Sequence, residues 1–307
     1  MRVAVTGATG VIGRRAIGAM LGRGDQVSAL TRDTDRGREI LGGRVELHAW
    51  RDHKHAPAPA DALERADAVL HLLGEPIAQR WTADAKREIR DSRVLATRSL
   101  VSTITALPED RRPRVLVAQS ATGFYGPRGE EPVDESQPAG SDFLAGVTIE
   151  WEREAAQAGS AGVRVASTRT GVVLSPSGGA LEKMLPPFKL GVGGPVAGGK
   201  QYVPWIHLDD VVGAMLRCLD DERASGPVNL TAPNPATNRE LASTLGRVLH
   251  RPAVVPVPGF ALRGLYGEMA TIVLTGQRAI PARLHELGYE FRHPDLEAAL
   301  RDVLQGT

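Results

Sequence analysis

The chain has 307 residues, 42% of them hydrophobic and 24% charged, with 37 basic against 36 acidic side chains and a formal net charge of +1. That length and apolar content suit about two folded domains and exclude a disordered chain, and the balanced charge excludes a global field for nucleic acid or an anionic membrane. Cys218, the single cysteine, sits in the helical apolar pattern Val211, Val212, Met215, Leu216, Leu219, so no disulfide forms within the chain and the thiol reads as a small buried hydrophobe. No charged-then-apolar leader precedes the first strand and no run reaches the ~18 apolar residues of a membrane helix, which makes a soluble, cytoplasmic protein the expectation.

Residues 2–5 alternate polar and apolar in a β-branched run, and Thr6-Gly7-Ala8-Thr9-Gly10-Val11-Ile12-Gly13 then opens an amphipathic stretch over 12–21. A strand, a glycine-rich turn and a helix in that order are the setting in which a glycine triplet signals a bound dinucleotide. Gly7 permits the tight exit from the strand, Gly10 lets the backbone approach a pyrophosphate, and Gly13 lets the helix pack close to the sheet. Free amides at the helix start hold the anion at the positive end of the helix dipole. The expected cofactor loop is Gly7, Thr9, Gly10, Val11, Ile12 and Gly13.

Gly22 and Gly24 end this helix, and 27–31 is a second strand, which completes a βαβ unit. Strand-like runs recur at 45–47, 68–73, 115–118 and 163–167, separated by helical or loop segments. The expected fold class is α/β: a Rossmann-like doubly wound parallel sheet with a smaller, mostly helical C-terminal substrate domain. A long helix spans 83–106, capped by Thr82 and closed by Pro108, and another spans 143–158, ended by Gly159. Between the early strands, 53–60 is a Pro/Ala-rich loop; His48, His53 and His55 lack acidic or cysteine ligands at matching spacing, and no metal is expected.

After Thr170 glycine and proline crowd 175–204, which reads as a lid or substrate loop. Within it Gly191 to Lys200 looks like a phosphate loop, but no helix follows Lys200. Helix returns over 209–219, with Asp209 as its cap and His207 packed or capping, and Thr237-Asn238-Arg239-Glu240 is a capping box. Further helices are expected over 281–287, stopped by Gly288, and over 295–304. The dinucleotide domain would comprise 1–170 with 205–222 returning to it, and the substrate domain 171–204 with 223–307.

An acidic residue about 20 positions past the glycines marks an NAD site, and an arginine accommodates the 2′-phosphate of NADP. Here Leu30-Thr31-Arg32-Asp33 ends the second strand with the arginine first. Its guanidinium can grip phosphate through two parallel hydrogen bonds, so Arg32 with the Thr31 hydroxyl favours NADP(H), with Asp33 as the NAD alternative and Arg14 able to assist.

These residues, together with His71-Leu72-Leu73-Gly74-Glu75-Pro76 and Ser120-Ala121-Thr122-Gly123-Phe124-Tyr125-Gly126, resemble an extended short-chain dehydrogenase/reductase. Trp205-Ile206-His207-Leu208-Asp209-Asp210 and the run 179–195 with Lys183-Met184-Leu185-Pro186-Pro187-Phe188 are similar to its atypical epimerase subgroup, grouped with nucleotide-sugar epimerases and carrying a C-terminal domain of unknown function. The resemblance covers essentially the whole chain. It implies that Thr31, Arg32, Leu72, Leu73, Gly74, Glu88, Arg93 and Val173 line the NADP pocket, with Arg93 in the place where extended members usually carry an asparagine.

The catalytic pair is where the likeness breaks. Ordinary members carry Tyr-x-x-x-Lys, yet the residues four places after Tyr125, Tyr202, Tyr266 and Tyr289 are Gly129, Ile206, Ala270 and His293. If Glu150 keeps its usual register, Asp142 and Gly146 occupy the positions of the pair. General acid–base help contributes about 10² to 10⁴ in rate, so a substitute is needed. The candidates are Ser120 and Thr122 to polarise a carbonyl and Tyr125 to donate a proton. Lys183, Lys189 and Lys200 could meet an anionic substrate such as a nucleotide-sugar diphosphate.

The expected function is an NADP(H)-dependent oxidoreductase acting on an unknown small molecule, and simple reduction fits the missing pair better than epimerisation. Alternatives are a non-catalytic NADP(H)-binding redox sensor or scaffold and a nucleotide-sugar epimerase. Neither nucleic acid nor membrane is an expected partner, and a homodimer stays open.

Overall fold

Period-two burial builds the centre of the molecule: Val3 and Val5 face one core and Ala4 the other, so the first strand is covered on both sides. In the computed structural model, which describes residues 1–175 and 177–305, this strand is β1 (Arg2–Thr6), followed by β2 (Gln26–Thr31), β3 (Glu46–Ala49), β4 (Ala68–His71), β5 (Val115–Ala121), β6 (Arg164–Thr170) and β7 (Gly226–Leu230). They form one parallel sheet in the order β3-β2-β1-β4-β5-β6-β7. The order reverses between β1 and β4, and that switch point opens a crevice at the carboxyl edge of the sheet.

Helices Val11–Gly22 and Leu208–Asp220 bury Ala16, Ile17, Met20, Val211, Met215 and Cys218 on one face. Helices Ala83–Ala106 and Phe143–Ala156 bury Leu100, Val101, Ile104 and Ala155 on the other. A third core joins Leu181, Leu185 and Phe188 to Trp205, Leu241, Leu245 and Leu300, and forms the smaller C-terminal region. Among the described residues no helix is long and apolar enough to cross a membrane.

Several boundaries differ from the sequence expectation. β7 lies in the segment assigned to the substrate domain, so the return to the sheet extends past residue 222 to Leu230. Gly226-Pro227 reads as a turn, but an edge strand tolerates a proline that cannot donate to the ladder. Leu284 and Leu287 also pack into the first core, which ties the last third of the chain to the dinucleotide domain. The Gly/Pro-rich stretch contains the helix Gly179–Lys189, with Pro186 and Pro187 inside it; burial of Leu181, Leu185 and Phe188 outweighs the two missing backbone donors. His207, rather than Asp209, caps the next helix: its Nδ1 accepts the Asp209 amide at 3.1 Å, and Asp209 instead holds Arg15 through two bonds of 2.7 and 2.8 Å. The capping box at Thr237 is formed as expected.

A buried polar stitch fixes the end of β4 against β1. The Thr6 hydroxyl accepts the Leu72 amide at 3.1 Å and lies 2.7 Å from His71 Nδ1, to which it donates because the ring proton sits on Nε2. The Thr97 hydroxyl donates to the Arg93 carbonyl at 2.7 Å and therefore accepts from His71 Nε2, 2.9 Å away. Complete burial holds the imidazole neutral and lowers its pKa to about 3. With the unfolded ring at about 6.5, this group contributes full stability above pH 6.5 and loses it as pH falls toward 3. Lowering the pH from 7 to 5 should cost about 2 kcal/mol through this one residue. Urea melts of the wild type and of His71→Gln will check it: the variant should be less stable at pH 7 and should lose that part of the acid dependence.

Candidate active site

At the exit of β1 the glycines serve different contacts. A Cβ on Gly13 would lie 2.4 Å from the Gly7 carbonyl oxygen, and one on Gly7, whose φ is +65°, would lie 2.5 Å from the Leu72 carbonyl oxygen. Both are required by packing inside the protein. Gly10 is exposed, and a Cβ there would meet only the Gly7 carbonyl, at 3.2 Å. Gly10 is also the N-cap of helix Val11–Gly22 and offers no side-chain acceptor, and the first turn carries no acidic residue. The amides of Val11, Ile12 and Gly13 thus lack helix acceptors and point out at an open, positive helix end. A helix end of this kind can hold an anion such as a diphosphate, and this one stands at the switch point of the sheet. Thr9, half-buried, completes the loop, and Gly178 comes against Val11 from the C-terminal region: a Cβ there would be 2.8 Å from Val11 Cγ2.

The end of β2 separates Arg32 from Asp33. Asp33 caps helix Thr34–Leu41 and accepts the Asp35 and Arg36 amides at 3.0 Å each. Both amides fall on Oδ1, so one oxygen of the carboxylate is committed to the cap at the place where an NAD site needs a ribose acceptor. Arg32 is exposed, with Glu75 3.8 Å away, and the Thr31 hydroxyl donates to the Asp33 carbonyl at 3.2 Å. Glu88 is engaged by Lys54, whose Nζ donates to both carboxylate oxygens at 2.9 Å.

Arg93 is no surface arginine. Its guanidinium donates to the Ile89 carbonyl at 3.0 Å and to the Glu75 carbonyl at 2.9 Å, and lies over the Trp151 ring. Gly74 leaves room for it, since a Cβ there would be 3.0 Å from Arg93 Cζ. Burial lowers its pKa to about 10, with the Glu75 charge opposing, so the group stays cationic at neutral pH. Leu72 is buried and Leu73 half-buried at the end of β4; Val173 is half-buried and pairs with Ile206.

The three expected catalytic hydroxyls are not gathered at a cleft. Ser120 is buried and donates to Glu152 Oε1 at 2.6 Å. Arg169 donates to both Glu152 oxygens at 2.8 Å and to the Tyr125 hydroxyl at 3.0 Å. Tyr125, buried completely, donates in turn to Asn229 Oδ1 at 2.7 Å, and the Asn229 amide donates to Glu135 Oε1 at 2.8 Å. Arg169 also stacks on Phe124, 3.4 Å from the ring centroid. The Tyr125 proton, expected to serve a substrate, is held inside this network, and burial raises its pKa to about 12 despite the neighbouring Arg169. Ser120 is spent on Glu152. Thr122 is buried, with its carbonyl accepting Gln277 Nε2 at 2.7 Å.

Asp142 is an N-cap bonded to the Ala145 amide, and a Cβ on Gly146 would meet nothing within 4 Å. The helix positions turned toward β5 are Leu144, which packs on Gly123, and Glu152, which reaches Ser120. Glu152, Arg169, Asn229 and Glu135 escaped the sequence reading. An arginine inside the strand run was the available signal, but its partner lies on another element.

His207 and His293 stack with ring centroids 3.7 Å apart, and His207 Nε2 lies 3.2 Å from Asp302 Oδ2 on the final helix. Asp209 beside them is already neutralised by Arg15. The cluster links the end of the chain to the capped helix.

Residues 3–230 match the model of the NAD dependent epimerase/dehydratase family. The chain belongs to that family. Residues 257–303 match a domain family of unknown function, as the resemblance implied. An Arabidopsis thaliana relative named epimerase family protein SDR39U1 homolog, chloroplastic, is 40% identical over 99% of this chain and 87% of its own length. The crystal structure of human epimerase family protein SDR39U1 (isoform 2) with NADPH superposes with a TM-score of 0.86 at 32% identity, covering 100% of both chains. A nucleoside-diphosphate sugar epimerase from Corynebacterium glutamicum gives a TM-score of 0.76 at 33% identity over 99% of this chain and 58% of its own. This family member therefore keeps the glycine loop and the whole fold, while its tyrosine and serine are drawn into a structural network.

The two outer glycines can be told apart from the middle one. Gly13→Ala should destabilise the fold by about 3 kcal/mol because its methyl meets fixed backbone. Gly10→Ala should change stability by less than about 1 kcal/mol yet weaken pyridine nucleotide binding at least ~tenfold. Thermal melts and calorimetric titration with NADPH measure the two effects separately.

Proposed function

We propose that this protein is an NADP(H)-dependent oxidoreductase of the extended short-chain type, reducing a small substrate without a Tyr-x-x-x-Lys pair. The observation that carries the reading is Gly10: an exposed glycine needed by no internal contact, at the uncapped end of the one helix that starts at the switch point. Preference for the phosphorylated coenzyme rests on Arg32 being exposed while Asp33 is committed to its cap. The NADPH in the human relative's structure supports it.

Bound NADPH would supply the hydride. The amides of Val11 to Gly13 hold the diphosphate, and Arg32 with Thr31 holds the 2′-phosphate. Leu72, Leu73 and Val173 flank the cofactor. Arg93, fixed below Gly74 and cationic at neutral pH, favours a substrate that gains electron density as it is reduced. With Ser120 and Tyr125 engaged elsewhere, a substrate needing little protonation by the protein, such as an iminium or conjugated alkene, fits best. A redox epimerase would need a base to remove the proton, and the network offers none.

A second reading is favoured by one observation. Two of the three candidate hydroxyls, those of Ser120 and Tyr125, lie buried in hydrogen bonds, as in a protein that binds NADP(H) to sense redox state without turnover.

NADPH oxidation over a panel of ketones, enones, imines and sugar nucleotides separates the two: turnover of any one supports the enzyme, and tight NADPH binding with no turnover supports the sensor. Tyr125→Phe should keep any turnover within about threefold while lowering stability by about 1–3 kcal/mol, because Asn229 and Arg169 lose a buried partner. Arg32→Ala should weaken NADPH at least ~tenfold and NADH little.

A further inference from the structure

Interior arginines of this chain are matched to acceptors. Arg169 has Glu152, Arg93 has two backbone carbonyls, and Arg112 and Arg164 have three each. Arg278 differs. Among the described residues its half-buried side chain has neither a hydrogen-bond acceptor nor a carboxylate partner, and its Nε–H is buried without one. A buried donor left unmatched is costly and calls for an explanation.

Its neighbours fix where it stands. Gln277 Nε2 donates to the Thr122 carbonyl at 2.7 Å, just past the carboxyl end of β5. Gly276 presses on the next strand so closely that a Cβ would come 1.9 Å from the Tyr202 carbonyl oxygen. From Tyr202 the chain runs to Pro204, whose carbonyl accepts the Val172 amide at 2.7 Å beyond the end of β6. Arg278 and Tyr202 therefore stand together over the carboxyl ends of β5 and β6, the edge of an open α/β sheet where ligands lie. The guanidinium lies over the Tyr202 ring, 5.4 Å from its centroid. Stacking of this kind orients the planar fork and consumes none of its N–H donors. Of the lysines expected to meet an anion, Lys183 donates to the Ala78 carbonyl at 2.7 Å.

We propose that Arg278, oriented by Tyr202, binds the oxyanion group, carboxylate or phosphate, of an acidic small substrate. The proposal rests on the oxidoreductase reading above and names the substrate class of that site. A planar fork with free donors suits either group, through two parallel hydrogen bonds.

Calorimetric titration of pyrophosphate and of malonate into the NADPH-saturated protein tests it, since bound NADPH keeps both probes off the glycine loop. One probe at least should bind saturably, and which one does tells phosphate from carboxylate. Arg278→Gln should weaken that binding at least ~tenfold, Arg278→Lys less, and NADPH affinity should stay within about twofold in both. No saturable binding of either probe, or equal binding in Arg278→Gln, overturns the proposal. If NADPH itself does not bind, the cofactor reading fails instead, and the same titrations on the free protein still decide the role of Arg278. Should Arg278→Gln not fold, phenylglyoxal labelling of the wild type, mapped by peptide mass spectrometry, replaces it. Pyrophosphate or malonate should then slow modification of Arg278 at least ~threefold, and unchanged labelling overturns the proposal.

Discussion

Everything at the candidate site depends on how closely the first helix lies against the first strand. Gly13 meets the Gly7 carbonyl, and Gly7 meets the Leu72 carbonyl, at separations that no side chain could occupy. Three backbone segments are thereby locked together at the point where the strand order reverses. The lock aims the free amides of the helix outward and leaves Gly10, of the three glycines in the loop, as the exposed one. The His71 stitch continues the same joint on its far side, tying β4 to β1 and to the long helix through Thr6 and Thr97.

The carboxyl end of β5 shows a different use of polar residues. In the family pattern this is where acid–base chemistry is expected, but here Ser120, Glu152, Arg169, Tyr125, Asn229 and Glu135 form a continuous buried chain of hydrogen bonds. Burying a guanidinium is tolerable because Glu152 neutralises it with two bonds and Phe124 covers its face. The chain joins β5, β6 and β7 to helix Phe143–Ala156, so it orders the sheet edge above which Gln277 and Arg278 lie. Burial also pushes the Glu135 carboxyl pKa up, and its amide partners Asn229 and Arg283 act against that shift. What reads in sequence as a reactive set is in space a scaffold.

The features carried by local pattern were legible. The strand, turn and helix around the first glycines, the cap at Thr82 and the capping box at Thr237 all involve neighbours within a few residues, where backbone geometry alone assigns the role. Partners distant in sequence were not. Nothing near Tyr125 indicates that Asn229 will accept its proton, and nothing near Ser120 indicates Glu152. β7 was missed: Pro227 cannot donate to a ladder, and only the strand's place at the sheet edge makes it acceptable.

By itself the sequence determined the glycine turn between the first strand and helix, the α/β class and that no tyrosine stands four places before a lysine, because each is written in contiguous residues whose spacing follows backbone geometry. Tertiary structure alone decided which polar groups remain available to a ligand. Hydrogen-bond partners 17 to 104 positions apart engage Ser120, Tyr125 and Arg169, while among the described residues the Arg278 side chain has no acceptor. A side chain's availability is set by what the fold brings within 3 Å of it, and no local pattern encodes that distance.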